Sequence, residues 1–167
     1  MQNDFIDAAL GTGEAVAIVP SVIEKIKKYE AEGGLIIYTK DTHFDDYLST
    51  REGRHLPVCH CIKGTPGHDI PDEILRGHDI IFEKLTFGSV ELVDYLKGVD
   101  FDEVELIGLC TDICVVSNAL LIKAAFPRKG GYGRLCLLRG CNARHAQCGT
   151  HHHEDVPDQR CLVNKKT

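Results

Sequence analysis

The chain reads as an α/β fold on a parallel sheet, because short β-branched runs alternate along it with stretches of helical period. Residues 35–39, 80–82 and 104–109 are apolar and of strand length. Between them the apolar period lengthens to that of a helix, and Gly or Pro marks the junctions. In open sheets of this kind, chemistry collects beyond the carboxyl ends of the strands. Asp41 and His43 follow the first run, Lys84 the second and Cys114 the third.

Taken in order, the opening Met1-Gln2-Asn3-Asp4-Phe5 is polar and shows no strand ahead of the first helix. Over residues 20–32, Val22, Ile23, Ile26 and Tyr29 recur at helical spacing. Pro20 suits a first helical turn, and Gly33-Gly34 ends the element. The run Leu35-Ile36-Ile37-Tyr38-Thr39 predicts a buried parallel strand. Residues 40–67 are polar, punctuated by Gly and Pro, and carry most of the early histidines. Residues 71–75 predict a helical turn, 80–82 a second strand, 90–96 a helix and 104–109 a third strand. A helix then runs to about Phe126. No period holds from Arg128 onward, so the predicted organisation is one domain over 1–127 and a tail, 128–167, without a defined fold.

Bulk properties narrow the function. A hydrophobic content of 43% with 26% charged residues is that of a soluble globular protein, and 167 residues suffice for one core. The net charge of −6 argues against nucleic acid as a partner. No run is long enough to span a membrane, and no export signal opens the chain, which predicts a cytoplasmic protein. The eight cysteines are then expected to stay reduced. None forms a Cys-x-x-Cys pair, which disfavours structural zinc on sulfur.

The stretch from Gly108 to Val115 carries most of the chemistry. Cys114 falls in the first turn of a predicted helix, where unpaired N–H groups and the helix dipole favour the thiolate. Thr111 and Asp112 are suitable caps for that start.

Four separated motifs together resemble the isochorismatase-like cysteine hydrolases, and among them the nicotinamidases, over roughly residues 1–127. Met1-Gln2-Asn3-Asp4-Phe5 is similar to the family's Asp-x-Gln-x-x-Phe opening. Asp41-Thr42-His43, with His60-Cys61 and Gly64-Thr65, resembles its metal-binding loop. The segment from Lys84 to Ser89 resembles the one with the catalytic lysine, and Gly108 to Val115 the nucleophile turn.

The resemblance implies a Rossmann-like three-layer α/β/α architecture and a cysteine-dependent amidohydrolase, with nicotinamide converted to nicotinate and ammonia through a thioester. Cys114 would attack, Lys84 would hold the thiolate charged, and the N–H groups of Cys110 and Cys114 would bind the oxyanion beside a cis Leu109–Cys110 peptide. Asp41, His43, Glu52 and His60 would hold a divalent metal, zinc or else iron or manganese, with His55 the substitute for Glu52. Phe5 and Phe87 would wall an aromatic ring, and His68 reads as a solvated loop residue. The implied partner is a small amide, with no nucleic acid or membrane, and a homo-oligomer is left open. Rival readings are another amide or carbamoyl hydrolase, an isochorismatase, and a catalytically dead fragment.

Two departures from the family pattern set further expectations. The family's catalytic aspartate would fall one residue before Met1, together with a central strand, and Asp4 does not inherit its role. The tail reads as a frameshift product. Taken one base out of register from Gly133, allowed codons spell a strand, a Cys-Ala-Gly-Val-Thr-Pro turn, a helix and a final strand, with a stop at Leu162. On that reading the His151-His152-His153 run and the tail cysteines have no selected role.

Overall fold

A computed structural model describes residues 1–128; the expectations for the rest of the tail lie outside the described residues. Two parallel strands, β1 (Tyr38–Asp41) and β2 (Ile81–Lys84), pair from Tyr38 opposite Ile81 to Asp41 opposite Lys84. Adjacent residues of this ladder face opposite ways. Tyr38 and Ile81 join one apolar cluster with Val22, Ile26 and Ile74. Ile37 and Phe82 join the other with Leu92, Leu96 and Ile122. The sheet therefore lies between two helical layers, as the three-layer expectation requires.

The first layer holds α1 (Asn3–Ile6), α2 (Gly13–Ala31) and α4 (Asp72–Leu75). Helix α2 starts seven residues before the predicted Pro20, because Thr12 caps it: the Ala15 N–H donates to Thr12 Oγ1 at 3.1 Å. Pro20 lies inside the helix, where the apolar face of Ala15, Ile18, Val19, Val22 and Ile26 runs past it into the core. Gly33, at φ 71°, takes the left-handed conformation that stops the helix. The second layer holds α5 (Val90–Lys97) and α6 (Val116–Ala125). Ser89 caps α5, its Oγ accepting the Leu92 N–H at 3.1 Å. The short α3 (Arg51–His55) sits in the loop between the strands, capped by Thr50.

Two strand expectations need correction. The first strand is displaced towards Asp41, leaving Leu35 exposed and Ile36 and Ile37 half-buried. Residues 104–109 are half-buried and, among the described residues, pair with neither β1 nor β2, although Leu106 carries a single β-bridge. A cavity of about 440 Å³ is lined by Ile36, Ile37 and Thr39 from the first run and by Val104, Leu106 and Ile107 from the third. A strand exists only through its neighbour's backbone, and the cavity lies where such a neighbour would be needed. Among the described residues no helix is long and apolar enough to cross a membrane.

Candidate active site and metal site

Parallel register does the first work of assembly. It sets Asp41 opposite Lys84 at the carboxyl ends of β1 and β2, and both side chains are buried. Their ion pair follows directly from that pairing. Lys84 Nζ also donates to the Thr86 carbonyl at 3.3 Å and lies 3.5 Å from Cys114 Sγ. The thiol points in turn at Asp41 Oδ2, 3.9 Å away. Burial by itself would lower the lysine pKa, yet the negative charge of Asp41 and the sulfur raise it on balance, so Lys84 stays an ammonium.

Cys114 sits in a single π-helical turn, Thr111–Val115, that runs into α6. Its signature is the Val115 N–H donating back to the Cys110 carbonyl at 3.1 Å. The Leu109–Cys110 peptide is cis, as the resemblance implies. Neither Thr111 nor Asp112 caps the helix; Cys110 occupies the cap position without a side-chain bond. The expected thiolate bias is also corrected. Burial and the charge of Asp41 push the Cys114 thiol above its ordinary value, against the downward pull of Lys84. Cys59, Cys61 and Cys114 are free thiols.

Beside this corner His43, Glu52 and His60 bring one ligand atom each to within 4.8 Å of one another. His43 continues from β1 and is held by backbone bonds to the strand-like segment at Cys61 and Lys63. His60 Nδ1 bonds the Val58 carbonyl at 2.8 Å, which fixes the tautomer and turns the Nε2 lone pair to the cluster. Glu52, from α3, stands 3.9 Å from His43 Nε2. That Nε2 is buried with no hydrogen-bond partner. Burial first, then the His60 imidazole, lowers the His43 pKa, and burial raises that of Glu52. A neutral imidazole with its lone pair unused is what a divalent cation needs, so these residues fit one.

Of the four ligands implied by resemblance, the structure brings three together. Asp41 is the exception: its carboxylate is turned to Lys84 and Cys114. Glu52 takes the place that His55, exposed on α3, was held in reserve for. Phe5 stacks edge-on against His60 at 5.5 Å and lines the cavity that also reaches Asp41, Lys84 and Cys114. Phe87 does not line it and is 44% exposed, since its loop turns outward to start α5. His68 is buried rather than solvated, its Nε2 lying 2.8 Å from Thr42 Oγ1.

Sequence reasoning missed two clamps. Gln2 is buried; its Oε1 accepts the Asp41 N–H at 2.7 Å, and its Nε2 donates to the Asp41 and His68 carbonyls. Asn118 donates to the Cys114 and Phe87 carbonyls and accepts the Ser89 N–H, tying the nucleophile turn to the Lys84 loop. An asparagine one helical turn after the cysteine was the available signal. Asp4, which accepts the Cys61 N–H at 2.7 Å, anchors backbone and stays away from the thiol's partners.

A cysteine–lysine–carboxylate contact, its lysine and carboxylate buried, on an α/β sheet edge next to an imidazole cluster defines a cysteine hydrolase. The isochorismatase domain matches residues 1–125. The chain belongs to the isochorismatase family, on its nicotinamidase-like side, and is an amidohydrolase of that family. It is 29% identical over 138 residues to a nicotinamidase/pyrazinamidase of Mycobacterium tuberculosis, covering 71% of this chain and 73% of the relative. The zinc complex of the Pyrococcus horikoshii pyrazinamidase is 31% identical with a TM-score of 0.61, over 75% of each chain. An N-carbamoylsarcosine amidase from Thermoplasma acidophilum is 30% identical with a TM-score of 0.59, over 77% of this chain and 73% of its own.

Proposed function

We propose that the chain hydrolyses a small aromatic carboxamide, with nicotinamide the first choice, to the carboxylate and ammonia through a thioester on Cys114. The observation that carries this reading is Lys84 Nζ at 3.5 Å from Cys114 Sγ, in a cavity shared with the Phe5 ring. Cys114 sulfur attacks the carboxamide carbon, the C–N bond breaks and ammonia leaves with the proton that the thiol gave up. Water then cleaves the thioester and restores the thiol. The ammonium of Lys84 balances the negative charge on sulfur whenever Cys114 is deprotonated, and the edge of Phe5 offers a flat apolar wall to a ring.

His43, Glu52 and His60 would hold a divalent ion, zinc by analogy with the Pyrococcus relative. When bound, such an ion supplies a Lewis acid with open positions for water or a ring nitrogen. The test is ammonia release from nicotinamide, pyrazinamide and N-carbamoylsarcosine, with C114A as the blank. Nicotinamide ranking first supports the reading; N-carbamoylsarcosine ranking first transfers it to the carbamoyl amidases.

A second reading, a binding protein without turnover, draws on the raised Cys114 thiol. Alkylation of Cys114 by iodoacetamide separates the two. Reaction only well above pH 9 together with no ammonia from any amide favours the binding protein.

A further inference from the structure

The Lys84 loop and the nucleophile turn come from separate parts of the chain, and Cys114 can use the lysine only if the two are held together. One buried side chain joins them. Asn118 lies on α6, one turn beyond Cys114, and is 4% exposed. Its Nδ2 donates to the Cys114 carbonyl at 2.8 Å and to the Phe87 carbonyl at 3.3 Å. Its Oδ1 accepts the Ser89 N–H at 2.9 Å. We propose that Asn118 is the positioning residue of the Cys114–Lys84 pair, a cross-link that keeps sulfur and ammonium in contact. This deepens the amidohydrolase reading and rests on it for turnover.

The three bonds commit the side chain. A carboxamide has two N–H donors, and carbonyls on the two sides of the link take both. The reverse orientation would set N–H against N–H at Ser89 and oxygen against both carbonyls, so only one flip fits. No donor is left for a substrate, and Asn118 acts through its neighbours. Each anchor lies close to a reacting group. One is the carbonyl of the nucleophile itself. The others, Phe87 and Ser89, follow Thr86, whose carbonyl accepts from Lys84 Nζ at 3.3 Å. That same Nζ lies 3.5 Å from Cys114 Sγ. Between the two anchored residues sits Gly88, where a Cβ would come within 2.6 Å of Leu121 Cδ1. The loop is therefore pressed onto α6 at the point where the carboxamide holds it. Without that hold the lysine can drift from the sulfur, and a misplacement of about 1 Å can cost about a hundredfold in rate.

The test compares wild type with N118A, N118S and V93A. Val93 is buried in the second layer and does not line the cavity, so V93A weakens packing away from the site. The measurements are urea unfolding, ammonia release from nicotinamide resolved into kcat and KM, and the iodoacetamide rate at Cys114 at one fixed pH. N118A is expected to lose about thirtyfold or more in kcat with KM within about twofold, and to alkylate about fivefold more slowly as the sulfur loses its ammonium. A serine hydroxyl reaches the carbonyl one turn back, as Ser117 does to Ile113 at 2.6 Å, but not the loop. N118S should therefore unfold closer to wild type than N118A yet keep both kinetic defects. V93A should unfold more easily with both rates within about twofold of wild type. A structural role alone would make the rates follow stability across the set. The proposal is overturned if they do, if N118S restores either rate, or if the N118A loss falls on KM alone. Should wild type release ammonia from no amide, the functional reading fails, while unfolding and alkylation still decide whether Asn118 positions the pair.

Discussion

The corner around Cys114 and the ring cluster around His43 are neighbours built from the same strand end, yet they are opposite in kind. In the corner the charges answer one another: Lys84 meets Asp41, a carbonyl and a sulfur. In the cluster a buried imidazole nitrogen faces a carboxylate too distant to bond it, and both groups are pushed towards neutrality. The first is a self-contained charged assembly; the second is arranged around something the protein chain does not supply. The lesson is that Asp41 and His43, two residues apart at one strand end, keep different company because register sets Lys84 opposite Asp41, where it takes the carboxylate.

The largest break in that comparison is K84M. It leaves the buried Asp41 carboxylate unpaired, and removing one partner of a buried ion pair costs about 3–5 kcal/mol. Urea unfolding at pH 7 should show that loss. E52Q strikes the other region and should weaken zinc by about tenfold, roughly 1.4 kcal/mol, with unfolding in chelator unchanged. Equal damage to zinc-free stability in both variants would erase the distinction between the two regions.

Finer still is S89A, which removes the α5 cap beside the Lys84 loop and should cost about 1 kcal/mol in the same unfolding assay. The smallest effect concerns His68, whose pKa is lowered by burial and then by Lys40. Above pH 6.5 it is neutral in both states and contributes no pH dependence. As pH falls below that value the unfolded chain takes up a proton that the folded chain refuses, so stability drops, levelling once the folded pKa is passed. H68Q should flatten this slope between pH 7 and 5, leaving the share due to His43. An unchanged slope would mean that His68 is not the group responsible.

Much of this was legible in the residues themselves. The β1–β2 pair, α5 and the order in which Asp41, Lys84 and Cys114 leave the sheet all follow from local period and punctuation. The aim of the Asp41 side chain was not, because it depends on which residue of β2 stands opposite, and register is a property of two segments. His68 lay in a polar loop whose burial depends on the distant Thr42 and Gln2. The run 104–109 has strand composition, but composition cannot report a gap beside it. The direction of the Cys114 shift was hidden for a like reason: a helix start favours a thiolate, and burial first, then the charge of Asp41, outweighs it.

The ring cluster also has an optical consequence. The sequence has no tryptophan and five tyrosines. Tyr47, fully buried, lies with its ring 4.6 Å from His43 and 5.0 Å from His60. Its phenol, pushed up to about 12 by burial, stays protonated through the neutral range. Ultraviolet emission from this protein is tyrosine emission alone, and one of its sources touches both imidazoles. Cobalt or copper arriving between them would quench that light, so the chain carries a built-in fluorescence reporter of occupancy that needs no dye.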